Sequence, residues 1–223
     1  MNRHELIDTI ADRIASLTAQ DPIRVAIDGV DGVGKTVFAD ELAANLIARR
    51  RAVIRASVDG FHNPRSVRYQ RGRNSPEGYF EDSFNYSALK HELLDPLGHG
   101  GSLRYLRAVF DYRTDCEITM PLQKAAKDSI LIFDGVFLHR SELASYWGMS
   151  IFLDAPFEVT IARATARDSS STDVNAPENH RYVKGQQIYL QTCEPKLSAT
   201  FVIDNEVLVA PKIVTVNSRP FVA

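Results

Sequence analysis

The sequence contains few cysteines and no long hydrophobic run. Cys116 and Cys193 are its two cysteines, and they lie far apart and outside any C-x-x-C pair. This argues against a disulfide framework, a zinc knuckle and a thioredoxin-like motif. Residues 1–20 carry apolar residues at helical spacing with charges between them, which predicts an N-terminal helix and is unlike a signal peptide. Since no run approaches the ~18 apolar residues of a membrane span, we expect a cytoplasmic protein without a membrane partner.

A strong charge of one sign is also missing. The formal net charge is −2 and the pI is near 6.3, so no global attraction to nucleic acid or to an anionic membrane is expected. A small acidic or neutral partner fits this balance better, and homo-oligomerisation is left open. The six histidines form no H-E-x-x-H metal pair. The nucleophile motif G-x-S-x-G, the dinucleotide motif G-x-G-x-x-G and the guanine motif N-K-x-D are absent as well.

The apolar residues that are present form five short runs rich in β-branched residues. They are IRVAID (23–28), AVIRASVD (52–59), SILIFD (129–134), SIFLD (150–154) and TFVID (200–204). Helical patterns lie between most of these runs, and crossover helices cover both faces of a parallel sheet. The pattern predicts a doubly wound α/β fold, and with 223 residues that are 44% hydrophobic we expect one domain, 1–223.

Each of the five runs ends in an aspartate. In open α/β sheets ligands bind beyond the carboxyl ends of the strands, so this pattern gathers carboxylates around one crevice. Asp154 and Asp204 precede helix-start and turn residues, which favours capping or turn roles. Asp28, Asp59 and Asp134 are each followed by glycine, which lets backbone approach a ligand closely, and they are the better site candidates.

The first run leads directly into GVDGVGKT, which matches the phosphate-binding pattern G-x-x-x-x-G-K-[ST] between a strand and a helix. In such a loop successive backbone N–H groups turn towards phosphate oxygens, the lysine reaches the β and γ phosphates, and the threonine holds Mg²⁺. The helix that follows adds the positive end of its dipole. We therefore predict that the phosphates of a nucleotide and Mg²⁺ bind at this loop. Its residues are Gly29, Val30, Asp31, Gly32, Val33, Gly34, Lys35 and Thr36.

Two carboxylates have predicted roles around this loop. Asp134, at the end of an apolar strand, supplies the acid that serves Mg²⁺ directly or through water. Asp59 ends the strand that follows the loop along the chain, where a kinase needs a base that takes the proton of the acceptor hydroxyl. The alternative for Asp59 is a local cap.

Two polar stretches predict further structure. NPRSVRYQRG (63–72) has an Asn cap, an early Pro and a final Gly, which predicts a short helix with Arg65, Arg68 and Arg71 on one face. Most of the arginines there are expected to be solvated. The segment 168–180 is poor in apolar residues and predicts a mobile loop.

These residues resemble the uridine kinase family of P-loop kinases, which is related to phosphoribulokinase and bacterial pantothenate kinase. The resemblance covers nearly the whole stretch 23–205. Its matching pieces are GVDGVGKT, VDGFHNPR, SPEGYFEDSFNYSAL, AVFDYRT, ILIFDGVFLHRSEL, FLDAPFEVTIARATARD and RYVKGQQIYL followed by VIDN. The resemblance implies a five-stranded parallel sheet flanked by helices, a lid over 163–185, and ATP-dependent 5′-phosphorylation of a nucleoside as the small-molecule acceptor.

The resemblance also implies residue roles. Asp59 falls on the catalytic acid of the family, Asp134 on the metal-side acid, and Tyr112 near an aromatic residue that contacts the acceptor. Arg163 and Arg167 fall on the lid arginines.

The sequence departs from the family at positions that recognise the acceptor. Phe84 and Asn85 stand where the family usually has Phe-Asp, and the stretch after Tyr112 lacks a histidine that reads the base. Asp134 also replaces a more familiar Glu. Two alternatives therefore stay open: a kinase for another hydroxyl acceptor, such as pantothenate or a different sugar or nucleoside, and a nucleotide-binding regulatory protein with little catalysis.

Overall fold

The sheet at the centre of the molecule brings the predicted strands together. A computed structural model describes residues 1–168 and 171–217, without the side chains of 167 and 168. Six strands form this sheet, in the order β10-β9-β8-β1-β7-β2. They are β1 (Ile23–Gly29), β2 (Val53–Ser57), β7 (Ile130–Gly135), β8 (Met149–Asp154), β9 (Phe201–Asp204) and β10 (Lys212–Val216). Four two-residue strands form two small antiparallel pairs outside it. They are β3 (Arg104–Tyr105) with β6 (Gln123–Lys124), and β4 (Phe110–Asp111) with β5 (Cys116–Glu117).

Helices lie on both faces of the sheet. The longer ones are α1 (Arg3–Ala15), α2 (Lys35–Ala48), α6 (Phe157–Asp168) and α7 (Pro177–Cys193). The short ones are α3 (Arg65–Arg68), α4 (Pro76–Asp82), α5 (Tyr86–Leu89) and α8 (Pro195–Ser198). Single turns of other helix types cover Val58–Phe61, Lys90–Leu94 and Ala144–Tyr146.

Alternate residues of each buried strand point into two separate hydrophobic clusters, one on each face of the sheet. On one face Val25 and Ile27 pack with α1 and α2. On the other face Ala26 and Phe133 pack with aromatic residues of α4 and α7. Since both faces are covered, the inner strands are buried and mostly apolar, with Arg24, Asp28, Asp134 and Ser150 as their buried polar residues.

The five predicted strands and the doubly wound class are confirmed, with the sixth strand as an addition. β10 is antiparallel to β9 at the edge of the sheet, whereas the other five strands pair in parallel. Two boundaries differ from the predictions. The short helix ends at Arg68, so Arg71 lies beyond it, and α7 begins at Pro177 within the segment expected to be a loop.

The strand order determines which residues meet at the edge of the sheet where a ligand site is expected. β7 lies between β1 and β2, so Asp134 at its end stands between the loop after β1 and the turn after β2. The carboxyl ends of all three parallel strands meet at this one edge, where a ligand site is expected. No helix in the described ranges is long and apolar enough to cross a membrane.

Candidate active site

A cleft of about 820 Å³ opens at this edge, and its walls come from the loop after β1, the turn after β2, the end of β7, α6 and the start of α7. The predicted residues Lys35, Thr36, Asp59 and Asp134 all line it. The structure therefore brings together, in one cavity, the predicted phosphate, metal and acceptor groups.

The loop Gly29–Thr36 depends on glycine at two close approaches. Gly29 has φ 151° and Gly32 has φ 76°, both in the range that favours glycine. A Cβ at Gly32 would lie 2.1 Å from the carbonyl oxygen of Thr160, and one at Gly29 would lie 2.5 Å from that of Leu153. The loop is thus seated directly on the backbone of β8 and α6, which fixes its shape from below.

Asn205 holds the same loop from the side. Its Nδ2 donates to the carbonyl oxygen of Val33 at 2.7 Å, and its own side chain is fully buried. The Arg3 Nη1 donates to the Asn205 Oδ1 at 3.3 Å, which connects α1 to the loop. Val30 and Val33 are buried in the core, so among the predicted loop residues these two contribute backbone groups only.

Lys35 sits at the start of α2 with its ammonium folded over the loop. The Nζ donates to the carbonyl oxygen of Val30 at 2.8 Å and lies 4.0 Å from the Asp31 Oδ1. The ammonium has three N–H donors and the Val30 carbonyl uses one of them. A phosphate oxygen can therefore bind to the Lys35 Nζ in place of these contacts. The position is that of the phosphate-binding lysine of such loops.

Thr36 and Asp134 are in direct contact. The Thr36 Oγ1 donates to the Asp134 Oδ2 at 2.8 Å, and the Asp134 Oδ1 accepts from the Arg55 Nη1 at 2.7 Å. Asp134 is 2% exposed, so its charge needs this cation. A hydroxyl and a single carboxylate suit Mg²⁺, which is usually held by one or two carboxylates together with substrate phosphates. In keeping with this, the described residues contain no cluster of three or more side chains that resembles a dedicated metal cage.

Asp59 lies in the turn Val58–Phe61 and lines the cleft, to which it is exposed. Burial raises the pKa of Asp59 to about 6, and the charges of Asp134 and Asp31 add to this rise. The Ser57 Oγ, not the Asp59 side chain, accepts the backbone N–H of the turn at 3.4 Å. Asp59 is thus free for a ligand, with a pKa suited to a general base near neutral pH.

Aromatic rings form the wall beside Asp59. The ring of His62 lies 4.6 Å from that of Phe84 and 4.8 Å from that of Tyr112, measured between centroids. The His62 Nδ1 is 3.0 Å from the carbonyl oxygen of Asp59, which can only accept, so Nδ1 carries the proton. Burial lowers the pKa of His62 to about 4, and the imidazole is neutral at pH 7.

Asn85 is not among the residues that line this cleft. Its Oδ1 accepts from the backbone N–H of Ala88 at 2.9 Å and caps α5. The predicted contact of Asn85 with the acceptor therefore has no counterpart in this geometry. Phe84 and Tyr112 do line the cleft, as predicted.

Of the two predicted lid arginines, the structure describes the side chain of one. Arg163 lines the cleft and donates to the carbonyl oxygens of Asn205, at 3.1 Å, and Glu206. It thereby fixes the chain that follows β9. The side chain of Arg167 lies outside the described residues.

Contacts between the loop and α7 had no signal in the sequence. The Asp31 Oδ2 accepts from the Tyr79 hydroxyl at 2.5 Å, and the Asp31 backbone N–H donates to the Gln186 Oε1 at 2.5 Å. Tyr79 belongs to α4 and Gln186 to α7, so two helices hold one loop residue. Such contacts between distant parts of the chain carry no local pattern.

Asp28 has a different role from the one considered for it. It is fully buried and accepts hydrogen bonds from the Gly29 N–H at 2.7 Å, from His139 at 2.6 Å and from the Tyr189 hydroxyl. It supports the start of the loop from below and does not line the cleft. Asp154, expected to be structural, forms an ion pair with Lys196 at 2.6 Å.

Comparison with known proteins agrees with this fold. No family model matches the sequence. A curated uridine kinase of Ureaplasma urealyticum serovar 10 is 22% identical over 153 residues, which cover 68% of this chain and 72% of that protein. A solved structure described as a possible uridine kinase from Bacillus stearothermophilus has a TM-score of 0.70 at 24% identity, covering 89% of this chain and 97% of that one.

A second solved structure comes from a different functional context. It is described as a fructose transport system kinase from Silicibacter sp. TM1040 and has a TM-score of 0.63 at 23% identity. It covers 82% of this chain and 94% of that one. The neighbours of this fold therefore include kinases named for different substrates.

The fold and the phosphate-binding loop resemble those of solved structures described as kinases. Within that class, the curated relatives and the structural neighbours support a uridine-kinase-like family, at low sequence identity.

Proposed function

We propose that this chain is an ATP- and Mg²⁺-dependent kinase that transfers the γ-phosphoryl group of ATP to a hydroxyl group of a small molecule. The observation that carries the proposal is the carboxylate of Asp59, with its raised pKa, in the same cleft as Lys35 and the Thr36–Asp134 pair. A regulatory protein that only binds nucleotide has no need of a positioned base.

The loop residues have the following roles in this proposal. The backbone N–H groups of Gly29–Thr36 and the start of α2 bind the phosphates of ATP, and the Lys35 Nζ leaves the Val30 carbonyl to contact the β and γ phosphates. Thr36 and Asp134 hold Mg²⁺, which when bound neutralises charge on the phosphates. Arg163 and Arg167 are the arginines that meet the nucleotide when the lid closes.

Asp59 acts on the acceptor. Its carboxylate accepts the proton of the acceptor hydroxyl as the hydroxyl oxygen attacks the γ-phosphorus, and the bond from that phosphorus to the β,γ-bridging oxygen breaks to release ADP. Because the pKa of Asp59 is about 6, the carboxylate is ionised at pH 7 and still basic enough to take the proton.

The curated relatives make the 5′-hydroxyl of a nucleoside the first candidate acceptor. Phe84, Tyr112 and neutral His62 form an aromatic wall on which a base or a sugar face can pack. One observation favours a second candidate, an acceptor that is not a nucleoside: the Asn85 amide, at the position tied to ribose recognition, is used to cap α5.

Release of ADP over a panel of acceptors tests the proposal. The panel contains uridine, cytidine, other nucleosides, fructose and pantothenate, and Lys35→Ala serves as the inactive variant while Lys127→Ala, an exposed lysine away from the cleft, serves as its control. We expect acceptor-dependent ADP release that Lys35→Ala abolishes. A folded Lys35→Ala variant with near-normal turnover would refute the loop assignment.

A further inference from the structure

Two buried arginines line the cleft away from the nucleotide loop. Arg68 is 8% exposed and Arg181 is 5% exposed. A buried charge is costly unless a group of opposite charge compensates it, so buried arginines are normally paired with carboxylates. The partners of these two therefore decide whether they are structural.

Arg181 has no carboxylate partner within the described ranges. Its guanidinium donates to backbone carbonyl oxygens at the end of α3 and in the segment that follows, at 3.0 Å for Arg68, 3.1 Å for Arg73 and 3.4 Å for Gly72. These bonds satisfy donors, but carbonyl dipoles leave the unit charge uncompensated.

Arg68 is compensated only in part. Its Nη2 donates to the Asp115 Oδ1 at 2.9 Å, and that same oxygen also accepts the backbone N–H of Arg65. The Arg68 Nε is buried and has no hydrogen-bond partner in the described part of the chain. A buried donor without a partner requires an explanation, since such groups are rare in folded proteins.

A third arginine concentrates the charge further. The guanidiniums of Arg68, Arg73 and Arg181 lie 5.6, 5.5 and 5.0 Å from the centroid of the Tyr69 ring, and Tyr69 lines the cleft. Stacking on an aromatic ring is a weak attraction and does not neutralise a cation. In a chain of net charge −2, three arginine charges therefore lie around one residue of the cleft wall.

The field of these charges reaches the proposed acceptor position. The charge of Arg68 contributes to the lowered pKa of His62, whose ring lies against Tyr112 beside Asp59. Arg113, on the exposed turn next to Tyr112, likewise acts on Asp59. Asp59, Arg68 and Arg181 line the same cleft, so one bound molecule has room to reach from Asp59 to the two arginines.

We propose that the acceptor carries an acidic group, a carboxylate or a phosphate, that binds Arg68 in the field of Arg181. The inference rests on the proposed kinase function and names the chemical class of its acceptor. A phosphate or carboxylate supplies the acceptor oxygen that the Arg68 Nε lacks, and arginine matches both groups in geometry. A neutral nucleoside brings no negative charge, so it does not compensate the charges of the two buried arginines.

Matched pairs of molecules that differ by the acidic group test the inference. We use glycerol with D-glycerate, ribose with ribose 5-phosphate, and uridine as a neutral nucleoside, all at constant ionic strength. Binding is measured by calorimetry in the presence of ADP, and kcat/KM is measured by ADP release. We expect an acidic member to exceed its neutral counterpart by about tenfold to a hundredfold, the usual effect of a charge-assisted hydrogen bond.

Three variants assign that preference to Arg68. Arg68→Gln should reduce the preference by about tenfold or more while the KM for ATP stays unchanged, and Arg68→Lys should retain part of it because the charge remains. Arg65→Gln is the matched control, since Arg65 is on the same helix, is exposed and donates through its side chain only to the Arg113 carbonyl. It should behave as the parent.

The outcomes separate this inference from the proposed function. Equal or tighter binding of the neutral member in every pair overturns the acidic acceptor, as does an Arg68→Gln variant that weakens neutral and acidic members alike or raises only the KM for ATP. If an acid binds through Arg68 but no acceptor gives ADP release, the kinase proposal fails instead. Efficient turnover of uridine that Arg68→Gln leaves unchanged supports a kinase and refutes the acid.

Discussion

Asp59 and Asp134 end neighbouring strands, yet their surroundings make them chemically different. Asp134 is buried, and its two carboxylate oxygens accept hydrogen bonds from the Arg55 guanidinium and the Thr36 hydroxyl. Among the described residues Asp59 has no such partner, and burial together with the charge of Asp134 raises its pKa to about 6. One carboxylate is therefore suited to hold a cation and the other to exchange a proton.

Asp59→Asn keeps the size of the side chain and removes the basic oxygen. We expect kcat to fall on the order of 10²- to 10⁴-fold, the range of general-base catalysis, with ATP affinity nearly unchanged. Because the ionised form is required, kcat/KM of the parent should fall as the pH drops through about 6. Turnover of Asp59→Asn within a few-fold of the parent, with the best acceptor, would exclude the catalytic role.

The same variant gives a test by stability. The pKa of Asp59 is 3.8 in a model compound and about 6 in the folded chain, so the folded state holds the proton more tightly. The parent therefore loses stability as the pH rises from about 4 to about 6, and above that range the ionised carboxylate destabilises the fold. Asp59→Asn should melt higher than the parent at pH 7.5 and show no such difference at pH 4, in thermal unfolding followed by circular dichroism. A lower Tm at pH 7.5 would contradict the assigned environment.

Thr36→Val removes the hydroxyl that contacts Asp134 and keeps the side-chain shape. We expect the Mg²⁺ concentration for half-maximal turnover to rise several-fold, because the metal loses one oxygen ligand while Asp134 remains in place. Thr9→Val, on the exposed face of α1, is the control, as its hydroxyl donates only to the Glu5 carbonyl. A Mg²⁺ titration of Thr36→Val that overlays that of the control would remove Thr36 from the metal site.

At the scale of elements, the parallel strands were predictable because buried strands need apolar residues on both faces. All five runs correspond to strands of the sheet, with ends that agree within one or two residues at most positions. β10 was missed since nearly all of its residues are exposed, so KIVTV shows no burial pattern. Its place is set by pairing with β9, which is a tertiary contact.

The candidate site was likewise predictable only where local sequence patterns mark its residues. The spacing of Gly29–Thr36 and the aspartate at a strand end are local signals, so Thr36 and Asp134 could be proposed from the sequence before the structure placed their oxygens 2.8 Å apart. Arg55 pairs with Asp134 across two strands, and Tyr79 reaches Asp31 from α4. No spacing rule connects residues that meet only through the sheet order or helix packing.

Gln186→Leu tests the connection between α7 and the loop. The change removes the acceptor for the Asp31 backbone N–H and leaves the packing volume nearly constant. Since one hydrogen bond contributes about 0.5 to 1.5 kcal/mol, we expect the KM for ATP to rise about 2- to 13-fold. Gln187→Leu, one residue further along the same helix, is the control, because Gln187 contacts Lys184 and not the loop. Equal KM values for the two variants would show that α7 does not set the loop.

At the scale of the whole molecule, the cleft lies where three elements meet, namely the phosphate-binding loop, α4 and α7. α4 and α7 pack closely, and a Cβ at Gly185 would lie 2.8 Å from the Pro76 carbonyl oxygen and from the Tyr79 ring. This contact places the Tyr79 hydroxyl and Gln186 on the loop that would bind phosphate. Binding of a nucleotide at the loop should therefore stabilise the sheet edge and the α4–α7 pair together.

This arrangement predicts that nucleotide binding raises the melting temperature of the protein. A ligand that binds only the folded state at 100 times its Kd adds about 2.7 kcal/mol, and about 2 to 4 °C per kcal/mol is usual for a chain of this size, so Mg²⁺-ATP should raise the Tm by about 5 to 11 °C. Lys35→Ala should unfold at nearly the parent Tm without nucleotide, because its ammonium contacts only polar groups, the Val30 carbonyl and the Asp31 carboxylate, yet it should lose most of the increase. Lys127→Ala, with an exposed side chain remote from the cleft, should keep the full increase. Scanning calorimetry of the three proteins decides the matter: an increase in Lys35→Ala equal to that in Lys127→Ala would mean that the nucleotide binds elsewhere.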